Sequence, residues 1–184
     1  RCTEEYNGTS WTTGGNSIYA HRGHAGGGTQ NAGIIFGNLS TAANWVTAEE
    51  YNGSSWSTGG NMTTGGRCLS GTGTQNNAVR MGGASSPSAT PYCDAQPCTE
   101  LYDGTSWSTQ GSLTTGRSGG QRMGSYGSDA TLAGGRLTPG DAVTCVEEFN
   151  GSVWSFGRPL TQCRYRGGGA GDSSGFVTGG TYPG

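Results

Sequence analysis

One phrase occurs four times along the chain: EEYNGTSWTTGGN from Glu4, EEYNGSSWSTGGN from Glu49, ELYDGTSWSTQGS from Glu100 and EEFNGSVWSFGRP from Glu147. A chain that repeats one short phrase builds a single object from several copies of a unit. The aromatics Tyr6, Tyr51, Tyr102 and Phe149 are spaced by 45 to 51 residues. Five positions after each comes a tryptophan: Trp11, Trp56, Trp107 and Trp154. Between them stand Asn7-Gly8, Asn52-Gly53, Asp103-Gly104 and Asn150-Gly151, and such dipeptides are strong signals for a two-residue type I′ hairpin. That turn predicts Tyr6 opposite Thr9 and Glu4 opposite Trp11, with all four side chains on one face. The eight aromatics are expected to pack blade against blade.

Upstream of each hairpin lies a second pair of short runs. The leading run is Gly-rich in every copy (HRGHAGGGTQ, RCLSGTGTQ, RSGGQRMGSYG, RYRGGGAGDSS), which suits strands crowded where side chains have no room. The following run carries small apolar residues and ends in GG or a close variant. Glycine accounts for 38 of 184 residues and hydrophobic types for 30%, a composition that on its own leans toward disorder. Five Trp, eight Tyr and the absence of a collagen period point instead to an all-β protein of short strands and many turns.

Four strands per repeat and four repeats predict a four-bladed β-propeller. The GG doublet, then an aromatic, then a Trp, on a period near fifty residues, resembles a kelch repeat, and the EEYNGxSW wording is similar to kelch-like repeats of phage structural and bacterial surface proteins. The resemblance covers essentially the whole chain. It implies a single propeller domain over 1–184, with repeats at about 1–46, 47–97, 98–144 and 145–184. The usual kelch ring has more blades, and kelch propellers do many jobs, so the resemblance leaves function open. The chain starts in mid-blade: Arg1 to Thr12 supplies two outer strands and Arg164 to Gly180 two inner ones. The last blade is therefore expected to close by pairing of the N- and C-terminal strands, within one chain in preference to a head-to-tail fibre.

The opening Arg1 and the lack of a signal peptide predict a processed or excised piece. A formal charge of −2 argues against nucleic acid as a partner, and no apolar run approaches a membrane span. All ten basic residues are Arg, which implies placed, bidentate pairs. Arg22, Arg67, Arg117 and Arg164 each open a Gly-rich run, and Glu4, Glu49, Glu100 and Glu147 each precede an aromatic by two. One buried Arg–Glu pair per blade is the expectation, a scaffold device and not an array of catalytic acids. Cys2, Cys68, Cys93, Cys98, Cys145 and Cys163 suggest three disulfides and hence an extracellular, virion or cell-surface location, against the alternative of six reduced thiols.

Chemistry is sparse. The two histidines, His21 and His24, are expected on opposite faces of a strand and not on one metal. No strand-to-helix nucleophile elbow is visible, because the Gly-rich runs lead into no helix. Asn31, Asn77, Asp129 and Asp172 in the inner turns are candidate calcium ligands, with ordinary turn chemistry as the alternative. Asn7, Asn38, Asn52, Asn61 and Asn150 head glycosylation sequons. The expected function is a non-enzymatic structural or adhesive module of a surface assembly, such as a filament or phage appendage, whose partners are other copies or other surface proteins. The alternative is a carbohydrate-binding lectin.

Overall fold

The computed structural model describes residues 1–38, 45–84, 94–138, 140–172 and 174–181. The protein is all-β. Three four-stranded antiparallel sheets follow one another: β3 (Ala25–Thr29) to β6 (Trp56–Thr58), β7 (Ser70–Thr74) to β10 (Trp107–Thr109), and β11 (Gln121–Tyr126) to β14 (Trp154–Phe156). Each runs in chain order from an inner to an outer strand. The hairpin β1 (Glu4–Tyr6)–β2 (Trp11–Thr13) precedes them, and β15 (Gly168–Gly171)–β16 (Gly175–Thr178) follows; each is a two-stranded sheet of its own. The inner strands β3, β7, β11 and β15 pack side by side in that order. Glycine permits the approach: a Cβ on Gly27 would lie 2.5 Å from the carbonyl oxygen of Gly73 on the neighbouring inner strand.

The outer hairpins are built differently from the two-residue turn expected. Tyr6 pairs directly with Trp11 and Glu4 with Thr13, so the loop has four residues, and the same register holds at Tyr51–Trp56, Tyr102–Trp107 and Phe149–Trp154. The physical reason is the asparagine side chain. Asn7 Oδ1 accepts the backbone N–H groups of Thr9 and Ser10, both at 2.9 Å. Asn52, Asp103 and Asn150 repeat the arrangement, an Asx-turn in which the side chain substitutes for backbone. These backbone N–H bonds also hold the Asp103 carboxyl below its usual range. As a result each aromatic stacks directly on its tryptophan, with ring centroids 4.9–5.1 Å apart.

Those pairs fill the seams between sheets. Tyr51, Tyr102, Phe149, Trp107 and Trp154 are buried and Trp56 is half-buried, whereas Tyr6 and Trp11 are 47% and 66% exposed. Trp107 meets Phe36 of the preceding sheet edge-on, centroids 4.8 Å apart. Polar contacts follow the same step from one sheet to the next. The Tyr51 hydroxyl donates to Glu5, and the Tyr102 hydroxyl to Glu50 at 2.5 Å. At the third seam both partners change together: Phe149 has no hydroxyl, and Leu101 replaces the acid and packs in the same apolar cluster. Trp56 and Trp154 donate their indole N–H groups to Thr3 and Thr99, each at 2.8 Å.

The expected pairing of Thr3–Tyr6 with Gly175–Gly180 is not made: β1 and β16 belong to separate sheets. Neither edge is engaged by the other, and Tyr6 on β1 and Phe176 on β16 are both largely exposed.

A test of the seam chemistry follows. Leu101→Glu alone buries an unpartnered carboxylate against Phe149 and is expected to destabilise the protein by about 2 kcal/mol or more. Adding Phe149→Tyr recreates the Glu–Tyr bridge of the other two seams and should recover most of that loss in urea denaturation. Additive losses would contradict the swap.

Candidate functional site

The buried carboxylates form the most regular feature of the molecule. Glu49, Glu100 and Glu147, on the third strand of each sheet, are 0–1% exposed. Each accepts two successive backbone N–H groups from the loop that leaves the preceding hairpin. Ile18 and Tyr19 donate to Glu49 at 2.7 and 2.9 Å, Thr63 and Thr64 to Glu100 at 2.7 and 3.0 Å, and Thr114 and Thr115 to Glu147 at 2.7 and 3.4 Å. The glutamate thus clamps the crossover between one hairpin and the next sheet.

The cation beside the clamp departs from expectation in three of four copies. Arg117 bonds Glu147 as expected, and its second Nη donates to the Leu132 carbonyl. Glu100 is paired with Arg80 at 2.8 Å, not with Arg67, and Glu49 with His21 Nε2 at 2.6 Å, not with Arg22. Glu4 is exposed, and among the described residues the Arg164 side chain donates to the Gly179 carbonyl, at 3.4 Å, and to no carboxylate. The reason lies in position. Ten residues after each hairpin tryptophan stand His21, Gly66, Arg117 and Arg164, so Arg22 and Arg67 fall one residue late. At Gly66 there is no side chain; a Cβ there would lie 2.6 Å from Arg80 Nη2. Arg80 stands opposite Glu100 where Leu132 stands opposite Glu147. Arg80 over Gly66 and Leu132 beside Arg117 are two solutions to one packing problem.

Electrostatics fit this geometry. Burial alone pushes the Glu147 carboxyl up, but the Thr114 hydroxyl, the Arg117 guanidinium and the Thr114 N–H outweigh it, and the net shift is down. His24 lies beside His21, ring centroids 5.4 Å apart, so the two are neighbours and not on opposite faces of a strand. Burial first, then His21, lowers the His24 pKa against a smaller upward pull from Glu49.

The remaining candidates do not converge. Cys2, Cys68, Cys98, Cys145 and Cys163 are free thiols, which corrects the disulfide expectation; Cys93 lies outside the described residues. Cys2, Cys98 and Cys145 stand two residues before Glu4, Glu100 and Glu147, so they occupy one repeat position in different sheets, and a disulfide needs Cβ atoms about 4 Å apart. Asn31 belongs to a two-residue turn with Gln30, while Asn77 and Asp129 each open the following strand, so the four turn residues are not equivalent. Among the described residues no group of three His, Cys, Asp or Glu is placed to hold a metal ion. Asn38 is fully buried and donates to the Ala20 carbonyl at 2.8 Å, which leaves no room for a glycan, whereas Asn61 is exposed. Asn7, Asn52 and Asn150 use their side chains in the Asx-turns.

Two cavities have the geometry of functional surfaces. One, of about 470 Å³, is lined by all four inner strands. A second, of about 330 Å³, lies where those strands begin and is lined by Arg22, His24, Arg122 and Arg166 among others.

Two outcomes are expected of these sites. Arg80→Leu should destabilise the protein by about 3–5 kcal/mol, because it leaves Glu100 buried and unpaired; adding Gly66→Arg converts this clamp into the form of the third sheet and should recover more than half of the loss. A double variant no more stable than Arg80→Leu would refute the equivalence. The second is acid sensitivity. Because the folded pKa of Glu147 lies below its unfolded value, the stability it contributes is complete above the usual carboxylate range and is lost as pH falls through the folded pKa. Glu147→Gln should therefore flatten the acid limb of a plot of stability against pH.

No known family model matches the chain, and no curated protein matches it closely enough to count as a relative.

Proposed function

We propose that the chain is a non-enzymatic structural and adhesive module of an extracellular, virion or cell-surface assembly, a location that rests on the likeness of its repeats to those of phage structural and bacterial surface proteins and not on its free thiols. In this reading it is a four-bladed, kelch-like propeller whose fourth blade joins β15–β16 to β1–β2. One observation carries the reading: the two half-sheets hold complementary halves of the glutamate clamp that every other seam completes and of the Tyr–Glu bridge that two of them complete. Thr161, Gln162 and Arg164 stand where Thr114, Thr115 and Arg117 stand around Glu147, and the exposed Glu4 is the corresponding carboxylate. Glu148 has the place of Glu5 and Glu50, and Tyr6 the place of Tyr51 and Tyr102. A cavity of about 490 Å³, lined by Val146, Glu148, Leu160 and Gly175, is the berth for Tyr6 and Trp11.

Made within one chain, the join gives a closed disc, an arrangement supported by the single cavity that all four inner strands share. Made between copies, it gives a head-to-tail fibre. Either product is a rigid body with few titratable groups at its axis, suited to presenting surfaces to other copies or to other surface proteins. The carbohydrate-binding reading is supported by a different feature, the arginine-lined cavity.

Deleting Arg1 to Thr12 is expected to leave a poorly folded, aggregation-prone product that a synthetic peptide of those residues restores. A double-mutant cycle reports on the join more finely: Tyr6→Phe and Glu148→Gln should couple by about 1–3 kcal/mol if their hydrogen bond forms. Zero coupling, or a truncated protein that stays soluble and fully folded without the peptide, would refute it.

A further inference from the structure

The cavity at the start of the inner strands is out of keeping with the rest of the surface. The chain carries a net charge of −2, yet Arg22, Arg122 and Arg166 are among the residues that line this space of about 330 Å³, together with His24, and no carboxylate residue lines it. Among the described residues none of these three arginines is in a salt bridge, and all three are exposed. The contrast with Arg80 and Arg117, each buried on a glutamate, is sharp. The buried scaffold arginines sit on glutamates; these three do not, and Arg166 has the Tyr165 ring near its guanidinium, 5.7 Å to the centroid.

The backbone around the cavity is also unusual. Gly23, Cys68, Gly119 and Arg166, one from each inner strand's approach, all have left-handed backbone, with φ of 67°, 52°, 62° and 60°. They are linked in series: Cys68 N–H donates to the Gly23 carbonyl at 3.0 Å, Gly119 to Cys68 at 3.1 Å, and Arg166 to Gly119 at 2.7 Å. Cys68 and Arg166 are the only non-glycine residues with positive φ among those described, and both line the cavity. Such backbone is disfavoured for an L-residue and gathers where a site is held in shape. It lies in the rim to which Arg166 belongs, and Arg122 on β11 lines the same cavity.

We propose that this cavity binds a small oxoanion-bearing sugar, a sulfated or uronic-acid residue held end-on by the three guanidinium forks. The guanidinium group matches sulfate and carboxylate oxygens two at a time, a geometry that an ammonium group does not offer. The cavity volume lies at the lower end of the range for small-molecule sites, enough for about one sugar residue. The acidic balance of the rest of the chain disfavours a long polyanion laid across the surface. The site gives an adhesive module a chemical address, and it does not depend on how the fourth blade is completed.

The test is isothermal titration calorimetry at low ionic strength on the full chain, with a trisulfated heparin disaccharide, an unsulfated hexuronate disaccharide, lactose and pentathymidylate as separate titrants. At least one of the two anionic disaccharides should bind and lactose should not; the stronger of the two identifies sulfate or carboxylate as the group recognised. Arg122→Ala and Arg22→Ala should each weaken binding about tenfold or more, Arg122→Lys should recover only part of it, and Arg158→Ala, outside the cavity, should leave it unchanged. These exposed substitutions are checked for folding by thermal melts. No binding of either anionic disaccharide at millimolar concentration would overturn the proposal. So would equal weakening by Arg158→Ala, binding of lactose as tight as that of the anionic sugars, or tighter binding of pentathymidylate.

Discussion

Everything else in this structure depends on a carboxylate removed from water and given back its hydrogen bonds by the chain itself. Glu49, Glu100 and Glu147 would each be costly to bury alone. Two backbone N–H groups of the incoming crossover loop and one nitrogen-bearing side chain (His21, Arg80 or Arg117) make each of them tolerable. The loop gains as much as the acid does. A Gly- and Thr-rich connection with few apolar side chains has no core of its own, and its amides would otherwise be left to solvent. The clamp ties the end of one hairpin to the third strand of the next sheet, so sequence-adjacent sheets become neighbours in space.

Around that fixed contact the protein varies its means. The side-chain partner is an imidazole at Glu49, an arginine borrowed from the adjacent strand at Glu100, and an arginine from the loop itself at Glu147. The seam bridge is Tyr–Glu twice and Phe–Leu once. Where a threonine is absent before the clamp glutamate, at Ala48, the indole N–H of Trp107 is buried without a partner. The Arg80–Gly66 and Phe149–Leu101 changes thus come in matched pairs, as expected where a group is desolvated with its partner, whereas among the described residues the Trp107 indole N–H is left without one.

Much of this was legible in the sequence. The repeated phrase locates every outer hairpin and every stacking aromatic, and the Gly-rich runs mark the inner strands. Turn geometry was misread because Asn-Gly signals a type I′ turn only when two residues separate the strands. Here Asn7 and its equivalents recruit two N–H groups through their side chains and lengthen the loop. The cation was misplaced because Arg22 and Arg67 were aligned on the Gly-rich runs; counting ten residues from each tryptophan brings His21, Gly66, Arg117 and Arg164 into register. That Arg80 fills the space over Gly66 needs the cross-strand register, which a linear reading does not supply. The thiols were misread for a related reason: cysteines that recur at one repeat position in different sheets are kept apart by the repeat itself.

The central claim, that buried carboxylates fasten each crossover loop to the next sheet, is tested most directly by residue-resolved amide hydrogen exchange on the native protein. The amides of Ile18, Tyr19, Thr63, Thr64, Thr114 and Thr115 lie in loops, yet the account predicts that they exchange as slowly as the amides of the central strands, and that those of Thr63 and Thr64 lose this protection selectively in Glu100→Gln. Exchange of all six at the rate of exposed loop amides would contradict it.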